Sequence, residues 1–381
     1  MKYRPALDGL RAIAVSAVLL FHLDHSLLPG GFVGVDVFFV LSGYLITSIL
    51  LRDYAADRFS LARFYQRRIA RIFPASFLVV VVTLVAAKLI YSAQDYALAA
   101  FQAVFAALSL ANLKLMLLGD YFQVTPDAQP LLHFWSLSLE EQFYLLFPFG
   151  LWAYLGLKQR YVRLPKLFTV VLALLIVSLI SCILCTAVNP TYAFYLLPTR
   201  AWELLAGCLL AIYVSGSNEA QGGVSERSNR VCNGLGFGLI VASCFMIHGD
   251  AHFPGVVAAI PALGTILCIG FRAKNNGWVE QMLSQKVLVY IGKISYSLYL
   301  WHWPVYCFTD YALYREDVVL RTIIKLGLTL ALSLLSYYVY EHPLRIYLNS
   351  AKNQLKAYGV FLISVVLLAV GGFTIRQNNY L

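Results

Sequence analysis

Val33-Gly34-Val-Asp36-Val-Phe38-Phe39-Val-Leu-Ser42-Gly43-Tyr-Leu-Ile-Thr-Ser-Ile-Leu-Leu51 carries one charged residue, Asp36, in an otherwise largely apolar run. Wound as a helix it reaches about 28 Å, close to the ~30 Å hydrocarbon layer of a bilayer. Further runs able to span flank it at 10–27, 72–91, 97–118, 137–157, 167–188, 200–215, 231–249, 254–272, 290–308, 321–340 and 358–375. Of the 381 residues, 60% are apolar and 13% charged, against about 25% charged in a soluble domain. A water-soluble globule is excluded, and the sequence predicts an all-α integral membrane bundle.

The net charge of +10 comes without a compact basic domain carrying interleaved aromatics, so no nucleic-acid partner is expected. The surplus reads as topology. With the N-terminus cytoplasmic and 97–118 not crossing, 20 Lys and Arg fall in inside loops; only Lys114, Arg315 and Arg376 fall outside. A crossing by 97–118 would move Lys158, Arg160, Arg163 and Lys166 outside. About eleven spans are therefore expected, with 97–118 at the outer interface or re-entrant. Lys2 and Arg4 precede an apolar run as in a signal peptide, but no small-residue cleavage site precedes Pro29-Gly30-Gly31, so a retained first helix is expected. The segment 216–230 reads as a flexible loop. No internal repeat is visible. Gly234, Gly236 and Gly238 read as close helix packing, because no strand precedes them. The seven cysteines, including Cys182-x-x-Cys185, lie in or beside apolar runs, which argues against a disulfide framework.

A charge inside a bilayer costs at least ~2.5–3.5 kcal/mol, so ionisable groups in spans mark the informative positions. Among them are Arg11, His22, Asp36, Glu140, Glu141, Arg200, Glu203, Lys293 and His302. Arg11 and His22 stand about 20° from perfect register on one helix, with ~16 Å of rise between them. Arg63, Arg67, Arg68 and Arg71 precede Pro74 in an inside loop; such runs are commonly topogenic, and guanidinium forks also suit phosphates. Ser136, Glu140 and Tyr144 recur at i, i+4 and i+8. Ser295, Tyr299 and His302 form a polar stripe on an apolar helix.

Together these motifs carry a family resemblance. Arg11-x10-His22, Gly34-Val-Asp36-Val-Phe38-Phe39-Val-Leu-Ser42-Gly43, Arg68-x-x-Arg71 with Pro74, Trp135-Ser136-Leu-Ser-Leu-Glu140-Glu-Gln-Phe143-Tyr144, Arg200-Ala-Trp202-Glu203, Tyr296-Ser297-Leu-Tyr299-Leu-Trp301-His302 and Glu341-x-Pro343-x-Arg345 resemble the membrane acyltransferase-3 family, in order across 1–345. The resemblance implies a bacterial inner-membrane enzyme. It would move an acyl group, commonly acetyl, from cytoplasmic acyl-CoA to a hydroxyl of an envelope or lipid-linked sugar in O-antigen, exopolysaccharide or peptidoglycan. It also implies functional roles for Arg11, His22, Arg68 and Arg71, and an acyltransferase domain over 1–345 followed by a linker and further helix over 346–381. Many similar proteins continue into an extracytoplasmic SGNH hydrolase-like domain; this sequence stops at Leu381, so a separate extracytoplasmic partner joins the expected partners. The oligomeric state stays open.

Acyl transfer needs a base for the alcohol proton, charge stabilisation at the carbonyl oxygen and a held donor. His22 is the candidate base, with Glu140 orienting it. Arg11 is suited either to the developing negative charge or to CoA phosphates, and Arg68 and Arg71 to the phosphates. Asp36, Ser42, Tyr144, Arg200, Glu203, Tyr299 and His302 are expected to support the pocket. Direct transfer and an acyl-histidine intermediate both remain open. No permanently bound cofactor is expected, with acyl-CoA as donor substrate. No metal is expected either, since the pairs His22/His25 and His248/His252 have no identifiable second shell. The rival reading is a transporter or flippase with a His/Asp/Glu proton relay, which predicts repeats and broken helices.

Overall fold

With no water in the hydrocarbon layer to take backbone hydrogen bonds, so apolar a chain satisfies them within helices. The computed structural model describes residues 3–118, 128–161, 164–216, 225–249, 253–271 and 277–380, and among them it contains helices and no strand. In chain order the α-helices are α1 (Pro5–Leu23), α2 (Gly34–Ala55), α3 (Leu61–Ile90), α4 (Ala93–Ala107), α5 (Ala111–Leu118), α6 (Phe134–Arg160), α7 (Leu167–Val188) and α8 (Pro190–Tyr195). They continue with α9 (Leu197–Gly216), α10 (Glu226–Met246), α11 (Ala259–Gly270), α12 (Trp278–Leu283), α13 (Lys286–Ala312), α14 (Val318–Leu335), α15 (His342–Asn349) and α16 (Gln354–Tyr380). Sequence sets several starts: Pro5 opens α1, Ser60 accepts the Arg63 N–H at α3, and Asp317 accepts from Val319 and Leu320 at α14.

Among the described residues, seven helical stretches are long and apolar enough to cross a membrane: α1, 31–55, α3, α7, α9, 318–349 and 351–378. The all-α membrane class is as expected. Buried residues make up 72% of the apolar window in 31–55 but 17% of that in α7, so α2 is a core helix and α7 presents apolar side chains to lipid. Two of the apolar runs are not single continuous helices. The run 97–118 is broken at Ser109, which has φ 56°, and α4, with its 15 residues, rises only about 22 Å. The run 254–272 becomes α-helical only at Ala259, after Gly255 turns with φ 35° and donates its N–H to Thr186. Lys2, Arg163, His252 and 217–224 of the expected flexible loop lie outside the described residues.

Two compact units emerge, and their chain segments alternate. The first is Met1–Phe59 with Gln142–Ser295; the second is Ser60–Glu141 with Tyr296–Leu381. In the first, α2 and α9 meet backbone to backbone at Gly43 and Gly207: a Cβ on Gly43 would collide with the Leu204 carbonyl, and one on Gly207 with that of Val40. The same device joins α10 to α11 at Gly236 and Gly264, while Gly238 has open space beside it and Gly234 only the Trp278 ring at 3.9 Å. In the second, α4 packs on α3 and α16 around Ala75, Val79, Val80, Ala103, Trp301 and Leu368. There Lys325 and Arg321 of α14 reach Asp310 of α13 at 2.6 and 3.3 Å.

Candidate active site

In the first unit, α1 presents Arg11 and His22, both half-buried. Asp8, one turn before Arg11, approaches its guanidinium at 3.8 Å and accepts the Tyr3 hydroxyl at 2.6 Å. That hydrogen bond pushes the Tyr3 phenol up to about 12, so Tyr3 remains a donor to Asp8 at physiological pH. Asp8 stands at i, i+3 from Arg11, a spacing visible in the sequence and not among the positions singled out above. His22 lies in the last turn of α1, its ring 5.2 Å from that of Phe21. Phe21 packs edge-on against Phe32, and Phe32 against Phe253.

Phe253 leads to the most deeply buried charges. Arg200 of α9 donates to Asp36 of α2 at 3.0 Å and stands 3.1 Å from Glu203; all three side chains are 1% exposed or less. The rings of Phe39, Phe194 and Phe253 surround the guanidinium at 5.5–5.6 Å. This cage exists because Gly43 and Gly207 let α2 and α9 close. Pairing and aromatic contact offset the desolvation of an ion that hydrocarbon would otherwise reject. Asp36 Oδ2, Arg200 Nε and Glu203 Oε2 make no hydrogen bond. Ser42, half-buried on α2, and Tyr144, buried on α6, also belong to this unit.

The second unit holds Arg68, Arg71, Ser136, Glu140, Tyr299 and His302. Arg68 and Arg71 lie at i, i+3 on one face of α3, with Arg68 5.6 Å from the Phe64 ring. On α6, Ser136 and the Tyr299 hydroxyl are 2.6 Å apart, and Tyr299 donates to the His133 carbonyl at 3.1 Å. The His302 Nδ1 is 2.6 Å from the Tyr299 carbonyl, a geometry that makes it the protonated nitrogen. His133, completely enclosed, faces His302 with ring centroids 5.5 Å apart. The only signal for His133 in the sequence is its place three residues before Ser136, just ahead of the run at 137–157. Glu141 accepts from Ser109, and Glu140 is its half-buried neighbour. The proposed base and Arg11 thus belong to one unit; Glu140 and the arginine pair belong to the other.

Helices this apolar that enclose clusters of Arg, Asp and Glu side chains define an integral membrane protein equipped for polar chemistry within its bundle. The family model for the acyltransferase domain matches residues 4–338, and the chain belongs to this acyltransferase family. It is similar to the peptidoglycan O-acetyltransferase OatA of Listeria monocytogenes, 33% identical over 362 residues, covering 90% of this chain and 56% of the relative. It is likewise similar to the O-acetyltransferase OatA of Staphylococcus aureus, 34% identical over 358 residues, covering 90% and 57%. The chain therefore spans just over half the length of these relatives. No solved structure matches it.

Proposed function

We propose that this acyltransferase moves an acetyl group from cytoplasmic acyl-CoA to a hydroxyl of an extracytoplasmic envelope sugar, with a peptidoglycan sugar first among acceptors. The observation that carries the reading is a half-buried Arg and His on one membrane helix, in a chain whose relatives bear O-acetyltransferase names. In the step proposed, neutral His22 accepts the sugar hydroxyl proton as that oxygen attacks the thioester carbonyl. Arg11 stabilises the oxyanion. Collapse of the tetrahedral intermediate breaks the C–S bond, and the departing thiolate takes the proton from the imidazolium. Arg68 and Arg71 hold donor phosphates. The cation bias supports a plasma-membrane protein with its N-terminus in the cytoplasm.

Sealed inverted vesicles test the reading directly. Labelled acetyl-CoA is added on the exposed cytoplasmic face and peptidoglycan fragments are trapped in the lumen. Label is expected on the trapped glycan and is lost in His22→Ala vesicles. Modification only of glycan supplied on the CoA side would overturn the transmembrane direction of transfer.

A further inference from the structure

The Glu341-x-Pro343-x-Arg345 motif has no role in the steps above. Its Glu341 is the last residue of a six-residue π-helical segment, Ser336–Glu341, that joins α14 to α15. A π turn inserts a residue and rotates all that follows, and such turns cluster at functional sites. Here Glu341 is buried and accepts the Ser297 hydroxyl at 2.5 Å. Arg345, one turn further on, is exposed and lies in the electrostatic field of Arg71 as well as that of Glu341.

The closeness of the two arginines is built into the packing. Gln66 of α3, fully buried, donates to the Leu348 and Ser350 carbonyls, both at 2.8 Å. Ala70, Leu348 and Ala357 form a small core closed by Leu344, and Tyr358 donates to the Ala62 carbonyl at 2.7 Å. These contacts fix α15 and the start of α16 on α3. Arg71, next to Ala70, and Arg345, next to Leu344, come together as a result. Among the described residues neither guanidinium makes a hydrogen bond or ion pair, and the nearby acid, Glu341, is engaged by Ser297. Like charges held together by apolar packing, with Glu341 acting on Arg345 while already bonded to Ser297, are set to take an external anion as well.

We infer that Arg345 completes, with Arg68 and Arg71, a phosphomonoester site that takes the 3′-phosphate of CoA. The inference rests on the acyl-CoA reading above. A terminal phosphate dianion concentrates its charge on three oxygens that two guanidinium forks can reach together; a pyrophosphate spreads its charge along the chain. An anionic lipid headgroup offers the same phosphate chemistry as a monoanionic diester.

The full chain in nanodiscs distinguishes these sources by equilibrium binding of CoA and of dephospho-CoA, which lacks the 3′-phosphate. Wild type is expected to prefer CoA by about tenfold, as one charge-assisted pair implies. Arg345→Gln should reduce that preference to within about twofold while leaving dephospho-CoA binding unchanged, a non-additive cycle. Arg345→Lys should restore part of it. Equal weakening of both ligands by Arg345→Gln, or of neither, overturns the assignment while leaving the donor reading intact. Wild type that binds neither ligand overturns both. Loss in Arg345→Gln of a preference for phosphatidylglycerol over phosphatidylcholine nanodiscs, with CoA binding unchanged, assigns the pair to lipid and also overturns it.

Discussion

Arg200 has two carboxylates and three aromatic rings around it and is only 1% exposed. Removing only the cation leaves two buried acids without a counter-charge. Arg200→Met should therefore cost about 3–5 kcal/mol, read as a fall in the midpoint of thermal unfolding in detergent. Adding Asp36→Asn and Glu203→Gln to the same chain should recover part of the loss, because the uncompensated charges go too. Recovery of nothing would show that Arg200 acts through packing. His22 presents the opposite case. It is half-buried at a helix end, so His22→Ala should leave the unfolding midpoint near wild type while abolishing acyl transfer; substantial residual activity would reject it as the base. All these residues were legible singly, because a charge in an apolar run stands out at once. Their pairing was not, since Asp36 and Arg200 lie 164 positions apart and a single sequence carries no signal of contact at that range.

At the scale of elements, the approach of α2 to α9 depends on two missing side chains. Gly43→Val should push the helices apart, separate Asp36 from Arg200 and remove folded protein from the membrane fraction. Gly150→Ala on α6, with open space beside it, is the control and should stabilise by up to about 1 kcal/mol. Equal accumulation of the two variants would contradict close packing as the basis of the cage. Helices were readable from hydropathy because membranes force regular backbone on apolar runs. The break at Ser109 was not readable: neither Gly nor Pro marks it, and its left-handed φ is accompanied by a bond from its own side chain to Glu141. The π segment at 336–341 escaped for a similar reason, as its composition continues that of α14 without punctuation.

For the whole molecule, the predicted topology places both 217–224 and the N-terminus in the cytoplasm and the C-terminus outside. Alkaline phosphatase fused after Asn379 should be active, and fused within 217–224 inactive. An inactive C-terminal fusion would require an even number of crossings and would move either the run at 97–118 or the one at 254–272 into a new class. Charge bias speaks to orientation alone. How the chain divides into compact units was invisible to it, because the units alternate along the sequence and no linker composition marks the exchanges within α6 and α13.

The cage around Arg200 also sets a timetable for synthesis. Asp36 enters the translocon 164 residues ahead of its cation, which at ~5–20 residues per second is about ten to thirty seconds. Throughout that interval the nascent chain carries an acid in a lipid-bound helix, at a cost of a few kcal/mol, with Arg200 still unmade. A ribosome-released chain ending at Leu196 should accordingly be cleared by membrane proteases faster in pulse-chase than one ending at Gly216, and Asp36→Asn should lengthen the life of the shorter chain alone. Equal decay of the two would mean that Asp36 finds another escort before its partner arrives. The order of the genetic message thus makes α9 the point at which the earliest helices cease to be substrates for quality control.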